Sequence, residues 1–278
     1  MSEPITPELL LQAYRAGIFP MAEDADAEEL FWFDPPERAI FPLDGFHVPA
    51  RLRRTLRRWP FQLRINDDFT GVMRACAAPS SARNRKKTWI NEEIVALYTA
   101  LHRQGYAHCL SAWYEGKRVG GLYGVQVGGA FCGESMFSTM TDASKICLVT
   151  LVALLRTNGF QLLDCQFMTD HLAQFGALTV SRLAYKARLK QVSQLHCWFG
   201  LPDFGAGAGG VAIGGTYPGT DTGKPRAVSG LAGTGGGEET GAGAVTGMGA
   251  AVVTDVAAVD AGLAALVTGF LQVITHTS

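Results

Sequence analysis

The sequence has few features of a membrane, secreted or metal-binding protein. No apolar run reaches the roughly 18 residues of a membrane-spanning helix, and no basic stretch precedes an apolar one near the start. Six cysteines are scattered over 278 residues, without a C-x-x-C pair or a ladder of histidines beside them. This spacing argues against a zinc site, and without a secretion signal it argues against a disulfide framework. We therefore expect a cytoplasmic protein without a membrane segment, a metal or another cofactor.

Charge is also scarce, and it is unevenly spread. Asp, Glu, Lys and Arg make up 18% of the residues, and the formal net charge is −1. Residues 30–192, however, hold 21 Lys or Arg against 12 Asp or Glu, a surplus that can attract a polyanion. The surplus is densest in RLRRTLRR at 51–58 and RNRKK at 83–87. Such runs are more often part of a solvated surface. Charge by itself therefore does not establish nucleic-acid binding.

Hydrophobic periodicity predicts an α+β fold. Segments 108–114, 118–127 and 130–137 have the pattern of consecutive antiparallel strands joined by glycine-containing turns. Segment 142–158 is apolar nearly all round, which predicts a central buried helix. Further strands are predicted at 160–167 and 178–181, and further helices at 7–16, 49–59, 92–104, 170–175 and 183–191.

Residues 201–278 differ from the rest of the chain in composition. They hold 19 of the 33 glycines and few large apolar groups, so they offer little surface to offset the entropy of ordering. We expect about 203–265 to be a disordered tail or an insertion; a frame error in the gene is the other interpretation. The predicted parts are a small N-terminal domain at 1–60, an α+β domain at 61–200 and the glycine-rich tail at 201–278.

Polar side chains interrupt two otherwise apolar predicted strands. Glu134 lies in GESMFS at the end of one strand, and Asp164 and Gln166 lie two residues apart in LLDCQF, on one face of the next. Buried polar groups need partners, so this pair is costly unless it serves a structural or chemical purpose. The alternatives are an ordinary strand-end glutamate and a polar pair that holds a loop.

Several motifs together resemble the leucyl/phenylalanyl-tRNA–protein transferase family. The similar segments occur in order and with compatible spacing from about residue 5 to residue 192. They include AY at 13–14, GIFP at 17–20, TWI at 88–90, GGLYGV at 120–125, GESMFS at 133–138 and DCQ at 164–166. The final LQVITHTS also resembles the end of some members, which favours an insertion over a frame error.

The resemblance implies a fold and a reaction. The fold is a small N-terminal domain followed by a domain similar to the N-acetyltransferase superfold, using aminoacyl-tRNA in place of acyl-CoA. The reaction moves leucine or phenylalanine, with methionine as a further candidate, from charged tRNA to the α-amine of proteins that begin with Arg or Lys, which marks them for degradation. We expect a monomer. An acyl-CoA-type N-acyltransferase and a non-catalytic RNA-binding module are the alternatives.

The resemblance also assigns residues by position. Glu134, Asp164 and Gln166 match the polar residues of the reaction centre. Trp32 and Trp89 match the aromatic side chains that hold the terminal adenosine of the tRNA. Because an aminoacyl ester is already activated, attack by an amine depends more on alignment than on a strong base. We expect Gln166, oriented by Asp164, to hold the attacking amine and Glu134 to fix an amino group, and the sequence leaves open which residue handles the proton.

An apolar pocket for the transferred side chain is assigned in the same way. Its residues are Leu122, Phe131, Leu148 and Leu151. Such a pocket distinguishes groups of similar size only weakly. One position departs from the family, because Ser111 stands where a glutamate is frequent, and the contribution of that acid is therefore open.

The two basic runs become the predicted tRNA contacts. The residues are Arg53, Arg54, Arg57, Arg58, Arg83, Arg85, Lys86 and Lys87.

Overall fold

The structure is a computed structural model that describes residues 5–22, 30–78, 88–201 and 256–276. The helices of this part are α1 (Pro7–Arg15), α2 (Ala50–Arg58), α3 (Phe69–Ala77), α4 (Glu92–Arg103), α5 (Ala143–Thr157), α6 (Asp170–Ala173), α7 (Arg182–Val192) and α8 (Val256–His276). The strands are β1 (Phe19–Met21), β2 (Phe31–Phe33), β3 (Glu37–Phe41), β4 (Gln62–Ile65), β5 (Ala107–Tyr114), β6 (Lys117–Val127), β7 (Ala130–Ser138), β8 (Leu162–Gln166) and β9 (Leu178–Ser181).

Seven strands form one mixed sheet, in the order β4-β5-β6-β7-β8-β3-β9. The predicted meander of three strands is confirmed as β5, β6 and β7, and its turns contain Gly116 and Gly128 in the left-handed region that favours glycine. The chain then crosses over through α5 and returns as β8, which lies parallel to β7. The other neighbouring strands are antiparallel.

Helices cover both faces of this sheet. On one face α5 packs with α2 and α8 in a single apolar cluster, so the predicted central helix is confirmed. On the other face α1, α3, α4 and α7 form a second cluster. Adjacent residues such as Leu162 and Leu163 belong to different clusters, because successive side chains of a strand point to opposite faces.

The first sixty residues contribute strands to the seven-stranded sheet and to a separate sheet of two strands. β1 and β2 pair with each other as a separate hairpin. β3 instead lies in the large sheet, between β8 and β9. The predicted domain boundary at residue 60 would therefore place β3, a strand of the large sheet, in the N-terminal domain. The periodicity did not predict β1–β4 or α3.

The end of the glycine-rich part belongs to the core. α8 packs against α5 and β4, and Leu263, Leu266, Val267 and Phe270 are buried. The prediction that residues up to about 265 contribute little to the core is therefore wrong at Leu263. These four residues follow the spacing of an amphipathic helix, and this local pattern outweighs the average composition of the segment. The rest of that prediction concerns residues 202–255, which lie outside the described residues.

Within the described part of the chain, no helix combines the length and the apolarity that a membrane crossing requires.

Truncating a buried side chain of α8 should destabilise the whole protein. Leu263 is fully buried, and we expect Leu263→Ala to lower the free energy of unfolding by about 2–5 kcal/mol, because it removes apolar contacts and leaves a cavity. Gly269 provides a control on the same helix, since a Cβ there would meet nothing within 4 Å. Gly269→Ala should stabilise by about 0.5–1 kcal/mol. Urea unfolding of the full chain measures both changes, and an unchanged midpoint for Leu263→Ala would show that α8 is not part of the core.

Candidate active site

The candidate site lies where β7 and β8 separate. The parallel pairing of these strands runs from Ala130–Leu162 to Cys132–Asp164. Beyond it, Glu134 on β7 and Gln166 on β8 face each other, and the Gln166 Nε2 donates a hydrogen bond of 2.9 Å to the Glu134 Oε1. The side chains therefore meet across the opening between the strands.

Irregular backbone directs both side chains. In the pairing of β6 with β7, Tyr123 opposes Ser135 and Gly124 opposes Gly133, which leaves Glu134 as the extra residue of a β-bulge. A similar shift between β3 and β8 leaves Cys165 without a direct partner. Bulges next to active sites re-aim side chains. The regular alternation that the sequence argument assumed is therefore broken.

A tight turn fixes Gln166. Its φ is +65°, which is unusual for a residue with a side chain. The Phe167 backbone N–H donates to the Cys165 carbonyl at 2.8 Å, so Gln166 is the middle residue of a three-residue turn. The Asp164 Oδ1 accepts the Gln166 backbone N–H at 2.9 Å. Asp164 thus orients Gln166 through its backbone.

Asp164 is fully buried, and its partners satisfy both oxygens. Arg38 donates from Nε to Oδ1 at 2.8 Å and from Nη2 to Oδ2 at 2.6 Å. The Tyr185 hydroxyl donates to Oδ2 at 3.0 Å. The Arg38 guanidinium lies against the rings of Phe19 and Tyr185, and its Nη1 donates to the Gly17 carbonyl. Although burial lowers the pKa of Arg38, the hydrogen bonds and charge of Asp164 raise it overall.

Glu134 is partly buried, and its hydrogen-bond donors among the described residues are neutral. The Tyr14 hydroxyl donates to it at 2.6 Å, and the Tyr98 hydroxyl lies 3.5 Å from its other oxygen. Burial raises the pKa of both tyrosines well above the usual value, so they remain protonated donors. Burial also raises the pKa of Glu134 to about 7, against the lowering effect of the bonds from Tyr14 and Gln166. Near neutral pH this carboxylate can therefore take up or release a proton.

A cavity of about 240 Å³ adjoins Glu134. It is smaller than the roughly 300–1,000 Å³ pockets that hold drug-sized ligands, which suits a single side chain. Leu122, Leu148 and Leu151 line it. Phe131, the fourth predicted pocket residue, is not in this lining; it is fully buried and stacks on Phe199 in the core. The lining also includes residues that the sequence did not indicate: Phe41, Met136, Leu163, Cys165, Thr169, His171 and Leu172.

The two predicted tryptophans lie outside this lining. Trp32 is exposed in the middle of β2, between two further exposed aromatic residues. Trp89 is partly buried just before α4 and packs against the apolar cluster on that face of the sheet. Both side chains leave indole surface for contact with a ligand.

The predicted basic residues divide into three groups. On α2, Arg54, Arg57 and Arg58 are exposed. Arg53 is partly buried, and its Nε donates to the Val48 carbonyl at 2.8 Å. The remaining predicted contacts fall outside the described residues: Arg83, Arg85, Lys86 and Lys87.

A carboxylate is present beside Ser111 although that residue is not an acid. The Ser111 hydroxyl donates to Asp67 Oδ1 at 2.8 Å and accepts from the Trp113 indole N–H at 2.8 Å. The pair of Ser111 and Asp67 therefore places an acid near the position where the family frequently has glutamate.

Sequence reasoning gave no role to Arg38, Tyr14, Tyr98 or Tyr185. Tyr14 and Arg38 belong to segments that resemble the family, which is a signal that they matter. Tyr98 and Tyr185 lie in segments that were predicted only as helices, at 92–104 and 183–191. Their partners are distant in sequence, so periodicity does not reveal these contacts.

Comparisons with known proteins match most of this sequence. The family model described as leucyl/phenylalanyl-tRNA protein transferase matches residues 40–190, and the model of its N-terminal domain matches residues 3–36. A leucyl/phenylalanyl-tRNA–protein transferase from Paramagnetospirillum magneticum is 52% identical over 196 residues, which cover 70% of this chain and 93% of the relative. Another from Hyphomonas neptunium is 50% identical over 212 residues, covering 76% of this chain and 80% of the relative.

Similarity to solved structures is weaker. The crystal structure of FemX matches with a TM-score of 0.42 and 11% identity, over 62% of this chain and 66% of that chain. A likeness of this strength supports no conclusion about function. The family models and the two relatives instead decide the assignment: the chain belongs to the leucyl/phenylalanyl-tRNA–protein transferase family.

Proposed function

We propose that this protein moves leucine or phenylalanine from charged tRNA to the α-amine of proteins that begin with Arg or Lys, acting in the cytoplasm as a monomer and marking its acceptors for degradation. Membership of the family makes the chain an aminoacyl-tRNA–protein transferase. The observation that carries the finer proposal is the contact between Gln166 and Glu134 beside an apolar cavity. Transfer of labelled leucine from charged tRNA to a peptide beginning with Arg, without added CoA, tests it directly.

The domain arrangement is part of the proposal. The crossover from β7 through α5 to a parallel β8, with the strands separating at the site, supports an N-acetyltransferase-like domain. We place its beginning near β3 rather than at residue 60, since β3 is paired within the large sheet.

The cavity would receive the side chain of the transferred amino acid. Leu122, Leu148 and Leu151 present apolar surface, and full burial of a leucine or phenylalanine side chain contributes about 1.5–3 kcal/mol. Along these leucines a charged side chain would lose its hydration without meeting a counter-charge, which disfavours it. Such a pocket separates leucine from methionine poorly, because the two differ little in size and polarity.

Glu134 and Gln166 would act on the acceptor amine. The amine is neutral only in part at pH 7, since its unperturbed pKa is about 8. Its nitrogen attacks the ester carbonyl, a C–N bond forms, and the bond from carbonyl carbon to ribose oxygen breaks. Glu134, with a pKa of about 7, takes the proton from nitrogen and returns it to the departing ribose oxygen. The amide of Gln166 aligns the amine, and buried Asp164 serves as a positioning residue.

Two surfaces would hold the donor tRNA. Trp32 and Trp89 would stack on its terminal adenosine, an interaction that contributes about 1–3 kcal/mol per base. Arg54, Arg57 and Arg58 on α2 would contact backbone phosphates, since all three are exposed.

Removing the Gln166 amide should reduce the reaction rate without weakening tRNA binding. We expect Gln166→Ala to lower kcat about 100-fold, as loss of one aligned hydrogen-bonding group at a reacting centre does. Gln161→Ala, at an exposed position just before the same strand, is the matched control. Single-turnover transfer and filter binding of charged tRNA measure the two effects. An equal loss of binding and rate would remove Gln166 from the reacting centre.

Ionisation of Glu134 should appear in the pH profile. Because the ionised form accepts the proton, we expect log kcat/KM for the acceptor to fall as pH drops through about 7, in addition to the titration of the amine near 8. Glu134→Gln keeps the shape but cannot ionise, so it should be slower and should lose the inflection near 7. If that inflection persists in Glu134→Gln, another group handles the proton.

The exposed arginines of α2 should determine how salt weakens tRNA binding. The triple variant Arg54→Ala, Arg57→Ala, Arg58→Ala should bind more weakly, and the slope of log K against log salt should become shallower by about 1 for each phosphate that the variant no longer binds. Arg53→Ala is the control, since its Nε already bonds within the chain, and we expect it to keep the original slope. An unchanged slope in the triple variant would mean that this face of α2 does not bind RNA.

A further inference from the structure

Three large apolar side chains are exposed beside the candidate active site. Phe33, Phe167 and Met168 are 36%, 41% and 38% exposed. The ring centroids of Phe33 and Phe167 lie 6.5 Å apart. Phe19 packs against both rings, with centroid distances of 5.9 Å to Phe33 and 5.6 Å to Phe167. We call Phe33, Phe167 and Met168 the aromatic shelf. Phe33 and Phe167 are in ring contact and Met168 follows Phe167 in sequence, and a group of exposed apolar side chains beside a site is where another molecule can bind.

The aromatic shelf adjoins the reacting groups along the chain. Phe167 directly follows Gln166, and the three-residue turn centred on Gln166 fixes the positions of both. Thr169, two residues further on, lines the cavity. The segment from Gln166 to Thr169 therefore runs from the reacting centre along the mouth of the cavity.

The shelf is distinct from the surface proposed for adenosine. Successive side chains of a strand point to opposite sides, so within β2 Phe33 faces away from the side on which Trp32 lies. Phe33 contacts Phe19 and Phe167 on its own side. The two exposed faces of β2 can thus serve two different substrates.

The length of an extended peptide decides which substrate meets the shelf. In the proposed function the acceptor amine lies at Gln166 and Glu134, and each following residue extends the chain by at most about 3.3–3.6 Å. The second and third residues of the acceptor must therefore lie within about 11 Å of the reacting nitrogen. Because the side chain of the transferred amino acid fills the cavity, the rest of the acceptor chain extends over the adjoining surface.

We propose that the aromatic shelf binds the second residue of the acceptor protein and favours an apolar side chain there. The three shelf side chains carry no charge, so a charged second residue would lose hydration without gaining a counter-charge from them. This inference rests on the proposed function, because it requires the acceptor amine at Gln166 and Glu134. It adds a determinant of acceptor choice beyond the first residue.

Steady-state transfer by the full chain tests the proposal with two peptides, one beginning Arg-Leu and one beginning Arg-Gly. The wild type should show the lower KM for Arg-Leu. Phe167→Ala should raise the KM for Arg-Leu by at least about fivefold, as truncation of a central interface residue does, and should leave the KM for Arg-Gly and for charged tRNA unchanged. Met168→Ala, which lacks the ring contacts of Phe167, should act in the same direction. Leu183→Ala, at a residue 82% exposed on α7, is the control for loss of an exposed apolar group.

The other outcomes separate the alternatives. If Phe167→Ala raises the KM for charged tRNA instead, the shelf binds RNA. If Phe167→Ala lowers kcat and leaves the KM values for both peptides unchanged, Phe167 only supports the position of Gln166. Equal KM values for the two peptides with the wild type would overturn the inference and leave the proposed function intact. Failure of the wild type to transfer leucine to either peptide would overturn the proposed function itself.

Discussion

The buried ion pair of Arg38 and Asp164 is the interaction on which the site depends. Each ion loses hydration worth several kcal/mol on burial, and the pair is tolerable because two short hydrogen bonds and the Tyr185 hydroxyl satisfy the carboxylate. Removal of one partner from such a pair costs about 3–5 kcal/mol, because the other is left buried and charged. The pair joins β3 to β8 and, through the Gly17 carbonyl, to the segment before β1. Through Tyr185 it also holds α7, so that four parts of the chain are held around Gln166.

The two carboxylates of the site have opposite environments. Asp164 is fully buried and paired with the Arg38 guanidinium, so its charge stabilises the fold. Glu134 faces two tyrosine hydroxyls and an amide, which donate hydrogen bonds but carry no charge. In the proposed reaction this division of environments leaves Asp164 for positioning and Glu134 for proton transfer.

Local patterns predicted the local parts of the structure. The apolar stripe of α4, the caps and turns around β5–β7, and the all-round apolar surface of α5 each depend on residues close in sequence. The position of β3 depends on pairing with β8, more than a hundred residues away, and no periodicity encodes it.

The candidate site follows the same rule. Motifs indicated Glu134 and Gln166, but the bulge and the left-handed turn that bring them together break the strand period from which their faces were predicted. Phe131 was placed in the pocket by position alone, and its stacking on Phe199 in the core shows why it belongs elsewhere. Burial of Arg38 was invisible because a lone arginine in a short strand is usually exposed.

The docking of α8 has a consequence for how the protein is made. This helix completes the apolar cluster that contains α2 and α5, yet it is synthesised after every other element that the structure describes. Between residue 201 and the end of α8 a ribosome adds 75 residues, which takes about 4–15 s at roughly 5–20 residues per second. During that interval the elements before residue 201 have already been synthesised, while the surface that receives Leu263 and Phe270 is uncovered. Nascent chains of this protein therefore pass through a stage with exposed apolar surface, in which chaperones can bind where α8 will later lie.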